Sequence, residues 1–541
     1  MKQRILIAAL LFGLLVVNAC SPQVETLQPT PTQEETPLVI SLWLPPYLPA
    51  EVTRQMNLPK NLIQVEESEK ADIRLDVGSD YPVSTWIYTL VAPFPTVSDA
   101  VSLAELQKFW RGESGTGFPA KRLIMDGSTQ ALFTKIWGEP AAGNIASESS
   151  EALLATAWEE KTTWAIIPFE QIDPQWKVIQ VDEKSPIHKG FDPKTYGLSV
   201  PFSFLGKAEI IEDFFQHYGL NTAQPIFPSS NRDPQKMTVV AMTGVTALVR
   251  GTAYLMEKYG MTYPAIDIGN ILRDADITHI SNEIPFWPNC PKPFGNAAND
   301  QNLVFCSRPD YIQLLEAVGT DVVELTGDHF RDWGPEPMLY TLEMYDQRGW
   351  KYYGGGRTLE DGEKPALFEH NGNKIAFFGC NAKPEGYATA TTTSPGAVHC
   401  DLDVMSQKIQ EVVKQGYQPI FTFQHIEYYK YTADPHLVVD FKKVAEAGAV
   451  IVSGSQAHQP HALQFYHGAL LHYGLGNLFF DQFNEGFAQR TAFIDLHIFY
   501  NGKYINTELV SIIFIDMARA RLMTADERET LLKDVFFASN W

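Results

Sequence analysis

Basic residues are scarce in this chain: 42 Lys and Arg stand against 64 Asp and Glu, a net charge of −22. No Lys/Arg stripe offsets that balance, so nucleic acid phosphates would be repelled and nucleic acid is excluded as a partner. Cysteine is scarce too, five in 541 residues with no close CxxC pair, which argues against a cysteine zinc site. Beyond the first twenty residues there is no apolar run able to span a bilayer, and no internal repeat. What is present is ordinary for a globular protein, 45% hydrophobic and 20% charged. The length suffices for more than one domain with a sizeable core. The acidic surface reports solubility and says little about substrate.

The N-terminal residues set the expected compartment. Lys2 and Arg4 precede ILIAALLFGLLVV, an apolar run short for a membrane span, and Asn18, Ala19 and Cys20 follow. A small residue before Cys after such a run resembles a bacterial lipoprotein signal, which implies cleavage before Cys20 and lipidation on it. A plain secretory signal or an N-terminal anchor is the alternative, and each places the rest of the chain outside the cytoplasm. Acyl chains contribute about 0.8 kcal/mol per buried CH2, so several on one Cys would hold the protein at a membrane. Four cysteines remain, Cys290, Cys306, Cys380 and Cys400. An even number in an oxidising compartment predicts two disulfides. Sequence neighbours give the simplest pairing, with two other connectivities open.

Residues 21–37, rich in Pro, Thr, Gln and Glu, read as an extended tether. From 38 to 226, ADIRLDV, WIYTLVAPF, KRLIMDG, TWAIIPF and WKVIQVD read as strands, while LAELQKFWRG and ESSEALLATAWEE read as helices, an α/β alternation. The phrases TLVAPFPTVSDAVSLAELQKFWRGE and WAIIPFEQIDPQWKVIQVD resemble type II periplasmic solute-binding proteins. That resemblance implies small-ligand binding between two lobes; a spacer or docking role is the alternative. FPSSNRDPQK, 227–236, reads as a polar hinge before the strand MTVVAM. A second α/β domain is expected over 237–516, with ADITHI, DVVELTG, KIAFFG, QPIFTF, AVIVSG, ALLHYGLG and TAFIDLHIFY as strands. The helices DVMSQKIQEVVKQG and LVVDFKKVAEAG each end in Gly. Over 517–541 a C-terminal helix is expected, capped by Thr524 with Glu527 three residues on.

Function is expected where polar residues gather after these strands. SNEIPF offers Asn282 and Glu283, and TGDHFRDWG offers Asp328, His329 and Asp332. FTFQHIEYY offers His425 and Glu427, and SGSQAHQPH offers His458 and His461. Carboxylates and imidazoles from four strand ends form a candidate shell for a divalent metal. One loop histidine alone is more often simply hydrogen-bonded, and His279, His399 and His436 read as ordinary loop residues.

In the order TGVTALVRG, SNE, GDHFRDWG, QHIEYY, SQAH and LGNLFF, the second domain resembles the CapA family. These are bacterial proteins tied to poly-γ-glutamate capsule synthesis and built on a metallophosphoesterase-like α/β sandwich. The resemblance implies a bridging Glu283, with Asp328 and His425 serving one metal and His458 the other. It implies His329 as proton donor to the leaving group, oriented by Asp332, with Arg250 or Arg331 on an anionic group. Glu427 reads as a ligand, a base or a salt-bridging residue, and His461 reads as structural more readily than ligating. Asn477 reads as a turn residue hydrogen-bonded to backbone beside the site. Trp287 and the Cys290–Cys306 loop read as a cap above it.

The departures weigh against two full metals. Val245 stands where the family has a metal-binding Asp, and Gln456-Ala457 replace the first His-Pro of His-Pro-His. Four potential ligands remain, enough for one divalent ion. The resemblance implies an envelope polymer, poly-γ-glutamate or another, and its synthase complex as partners. Two functions are therefore expected to compete. One is a lipid-anchored, metal-dependent hydrolase or transferase; the other is a catalytically degenerate lipoprotein that binds or assembles the polymer. A third makes the N-terminal domain a sensor of a small solute.

Overall fold

The computed structural model describes residues 39–218, 225–293, 303–386, 388–482 and 486–541. The expected signal, Cys20 and tether lie outside the described residues. Among those residues no helix is long and apolar enough to cross a membrane.

The N-terminal part is organised by one long strand, Pro82–Pro93, whose sequence PVSTWIYTLVAP is almost continuously buried. Such a run, rich in β-branched and aromatic side chains, suits a strand covered on both faces. Its first half pairs antiparallel with Ser199–Gly206 and its second with Thr163–Pro168. Outside these lie Ile73–Val77, Ile40–Trp43 and Leu62–Val65 on one side, and Arg122–Met125 and Ile145–Ser147 on the other. Two lobes thus share one strand. Helix Leu103–Trp110 starts at a capping box of Ser102 and Glu105.

From Met237 onward the described residues build two large sheets and a two-stranded one, Gly355–Gly356 with Gly396–Ala397. The first has the order Lys351–Tyr353, Val322–Glu324, Ile277–Asn282, Met237–Thr243, Thr491–Tyr500, Lys503–Phe514, Ala520–Leu522. The second has the order Ala366–His370, Asn373–Asn381, Gln418–Gln424, Ile451–Ser453, Ala469–His472, Leu463–Tyr466. Val240, Met242, Ile277, Phe377, Ile420, Ile451, Leu470 and Phe493 fill a core drawn from both sheets. Helices cover the outer faces: Arg250–Tyr259 and Pro335–Asp346 over the first, Leu402–Lys414 and Pro435–Glu446 over the second. The central strands run parallel, so their loops gather at one edge, where an α/β fold places its chemistry.

Two boundaries differ from expectation. The segment 227–236 is docked, not a free hinge. Asn231 accepts from Ile87 N and donates to Ile87 O, acting as a side-chain substitute for a neighbouring strand. Arg232 lies buried, donating to Pro186 O and His188 O. The second domain's sheet also runs past residue 516, because Ala520–Leu522 pairs with Lys503–Phe514. Helix Ala525–Ala538 then follows, with the capping box of Thr524 and Glu527 in place. Arg528 clamps it to Asp99 of the N-terminal part with two hydrogen bonds of 2.6 and 2.9 Å.

His497, within strand Thr491–Tyr500, is buried. One ring nitrogen contacts Thr507 Oγ1 at 2.6 Å and the other has no partner. Burial pushes its pKa down from 6.5 to about 4, with His472 and His279 pushing the same way and Asp495 opposing. The unfolded chain therefore binds a proton that the folded chain refuses between these values. This contribution to stability is complete above pH 6.5 and fades as pH falls toward 4. Urea unfolding at pH 4.5 and 7 is expected to show this loss in the wild type, with a smaller pH dependence in His497→Gln.

Candidate metal and acid–base centre

Glu283 leaves the end of strand Ile277–Asn282, its backbone N–H fixed to Thr246 O. Its side chain is 1% exposed, and Oε2 is buried without a hydrogen-bond partner. Burial raises its pKa to about 6, against the pull of His329 and His458. Gly327 packs directly on Glu283: a Cβ there would meet the Glu283 backbone at 2.8 Å. That close approach brings the next two residues over the carboxylate. Asp328 accepts from Gln424 Nε2 at 2.9 Å on one oxygen and from Lys383 Nζ at 2.9 Å on the other. Burial works to raise its pKa, but Lys383 and His329 outweigh it and hold the carboxyl below the usual range.

His329 Nδ1 hydrogen-bonds Asp332 Oδ2 at 2.7 Å, and Asp332 also accepts from Phe305 N at 2.7 Å. The Phe305 ring sits 4.6 Å from the imidazole. Burial opposes the charged ring, yet the Asp332 hydrogen bond and the fields of Glu283 and Asp328 raise it to about 9. Ligand atoms of Glu283, Asp328 and His329 lie within 4.8 Å of one another.

The other half of the centre is built by His458 and Glu427. His458 Nδ1 contacts Asn477 Oδ1 at 2.8 Å, and its Nε2 lies 3.6 Å from Glu427 Oε1. Asn477, the first residue of strand Asn477–Phe479 and not a turn residue, also donates to Gln482 O and so orients His458. Glu427 accepts from Lys383 Nζ at 3.1 Å.

Several expected residues are placed elsewhere. His425 turns away: its Nε2 pairs with Asp440 at 3.0 Å and its Nδ1 accepts from Ile426 N. Arg250 is held by Asp481 at 2.7 Å and lies over the Phe305 and Phe480 rings, so its charge is spent within the fold. Arg331 reaches Thr389 O at 3.4 Å. His461 is buried between Tyr428 O and Tyr473 O, with its pKa lowered by burial. Asn282 donates to Ile284 O and Tyr345 OH, bracing the strand end. His279 is a strand residue, fully buried against Tyr353 OH and 3.4 Å from Glu324.

Lys383 was missed by sequence reasoning, although NAKPEG follows the strand read in KIAFFG as the other site loops follow theirs. Disulfides join Cys290 to Cys306 and Cys380 to Cys400, the neighbour pairing. The first closes the loop carrying Phe305, and the second closes the loop carrying Lys383. Lys383 also lines a cavity of about 280 Å3 with Asp328, Asn381, Thr389 and His399.

Residues 239–482 match the profile of the family described as "Bacterial capsule synthesis protein PGA_cap". The second domain belongs to the CapA family. The chain is 24% identical over 291 residues to "Capsule biosynthesis protein CapA" of Bacillus anthracis, covering 52% of this chain and 69% of that protein. It is 26% identical over 212 residues to "PGA biosynthesis protein CapA" of Bacillus subtilis (strain 168), covering 38% of this chain and 53% of that protein. Among solved structures, a 5'-nucleotidase precursor from Thermus thermophilus aligns with TM-score 0.34 and 12% identity, over 56% of this chain and 58% of that one. An ABC-type phosphate transport receptor from Vibrio cholerae aligns with TM-score 0.24 and 15% identity, over 29% of this chain and 80% of that one. The fold is a two-sheet α/β sandwich preceded by a second α/β unit.

The donor set of the centre suits a single divalent ion. The unpartnered buried oxygen of Glu283, with Asp328 and His329 close by, fits one ion. The second set implied by the family pattern is incomplete: Val245 offers no donor and His425 is spent on Asp440, while Gln456, its Nε2 bonded to Ser281 Oγ at 2.5 Å, keeps a buried Oε1 without a partner.

Proposed function

We propose that this is an envelope-anchored protein of poly-γ-glutamate or other exopolymer synthesis or retention, tethered through lipid on Cys20. In this reading residues 237–516 act as a hydrolase or transferase centre with one divalent metal. The N-terminal domain, 38–226, binds a small solute or docks a partner such as the synthase complex. Support for the chemistry comes from one observation above the rest: Glu283, Asp328 and His329 converge, with His329 braced by buried Asp332. The ion would be held by Glu283 and Asp328, with His329 beside them reserved as the acid. When bound, it would polarise a phosphoryl or carbonyl oxygen and lower the pKa of a water. The chain's own residues supply the rest. Asp332 fixes the His329 tautomer, His329 delivers a proton to the leaving group, and Phe305 shields that ring from water.

Metal analysis of the purified soluble protein tests this. One tightly held equivalent is expected, weakened by at least about 100-fold in Glu283→Gln, since even outer-shell losses cost 10–100-fold. In a polymer-producing host the same substitution should alter the amount or length of the polymer. A second reading, a polymer-holding protein without chemistry, is favoured by Asp328, whose two oxygens are already engaged by Gln424 and Lys383. No metal in the wild type, with unchanged polymer in the Glu283→Gln strain, would decide for it.

A further inference from the structure

We infer that the ammonium group of Lys383 is a built-in cation that occupies the seat of a second metal, so that the centre is a hybrid of one divalent ion and one lysine. This rests on the one-ion reading above. Nζ bridges two carboxylates, Asp328 Oδ2 at 2.9 Å and Glu427 Oε1 at 3.1 Å. Glu427 in turn faces His458 Nε2 at 3.6 Å. A cation placed between two carboxylates, one of them beside the unpartnered Glu283, is the electrostatic arrangement a second metal would satisfy.

The lysine is set in place, unlike a surface chain that happens to reach an acid. Its backbone N–H is fixed to Asn381 Oδ1 at 2.9 Å, and Asn381 Nδ2 is fixed to Thr326 O at 2.8 Å, two residues before Asp328. Asn381 ends the strand Asn373–Asn381 and bridges to His399, and the Cys380–Cys400 disulfide closes the same loop. The Lys383 side chain is 18% exposed, so its pairs escape much of the solvent screening that makes exposed ion pairs weak.

The test is metal stoichiometry with Mn2+ on the whole soluble protein, read by equilibrium binding and by electron paramagnetic resonance. Wild type is expected to take one Mn2+ with an uncoupled signal, and Lys383→Met one more equivalent. Lys383→Arg, which keeps the charge, should match the wild type. Zero in the wild type and one in Lys383→Met would still support the lysine while overturning the one-ion reading. Two coupled ions in the wild type, or no gain in Lys383→Met, would overturn the inference. If Lys383→Met fails to fold, the wild-type signal decides, because a spin-coupled pair is incompatible with an occupied seat.

Discussion

Gly244→Ala is expected to lower the unfolding free energy by about 3 kcal/mol or more, at the upper end of what overpacking costs. A Cβ at this position would lie 1.8 Å from Gly476 O and 2.8 Å from Gly476 C. Both are backbone atoms, so no rotamer change relieves the contact. Gly476 O also accepts from Val245 N at 3.0 Å, and Val245 pairs with Asn477 in a parallel bridge. Retreat of Gly476 is blocked from behind. It holds φ +88°, and a Cβ on it would meet Thr491 O at 2.7 Å, so the backbone is wedged between two strands. Any shift that admits alanine must therefore move Asn477, and with it the hydrogen bond that orients His458. Gly127→Ala is the matched control. Its Cβ would find only Ser147 Oγ at 3.5 Å, an ordinary contact, and the change should stay within about 1 kcal/mol. Urea midpoints of the two variants separate these cases; similar small shifts in both would refute the packing argument. The family's first motif thus has two separable parts here. The glycine is kept for backbone approach, while the ligand position beside it has become Val245.

The strands and the order of the site loops were legible because their signals are local. A run such as TLVAP or AIIP is buried on both faces whatever surrounds it, and a turn residue after it opens a loop at the sheet edge. Side-chain direction was not legible. Gln424 is the last residue of strand Gln418–Gln424 and turns inward to Asp328. His425 follows it, and because successive side chains alternate across a strand, it leaves on the opposite side to Asp440. A one-residue difference in where the strand stops decides which of the two enters the site. Lys383 escaped for a different reason: a search for metal ligands passes over an ammonium, whose role is to replace an ion and not to bind one. The segment 227–236 read as a hinge because Pro, Ser and Asn mark loops. Asn231 instead uses its amide to pair with Ile87, a contact set by a strand 144 residues earlier in the chain.

In the proposed reaction, His329→Asn is expected to reduce turnover of an alkyl phosphoester by about 10^2- to 10^4-fold, the range for losing a general acid. The argument begins with position. Nδ1 is committed to Asp332, so the other ring nitrogen is the one free to serve a leaving group near Glu283 and Asp328. Asp332 is fully covered and takes a second hydrogen bond from Phe305 N, which fixes the ring plane as well as the tautomer. The Asp332 hydrogen bond favours the protonated ring, as an acid requires. A leaving group that departs without a proton should not need this residue. With a 2,4-dinitrophenyl ester the His329→Asn loss is therefore expected to shrink to a few-fold. A metal ligand would behave otherwise, costing both substrates equally and lowering bound Mn2+. Asp332→Asn, which leaves His329 present but less well oriented, should cost less than His329→Asn on the alkyl ester and keep the same leaving-group bias. Equal losses on both esters would remove His329 from the acid role. No turnover of either ester by the wild type would transfer the whole centre to the polymer-holding reading.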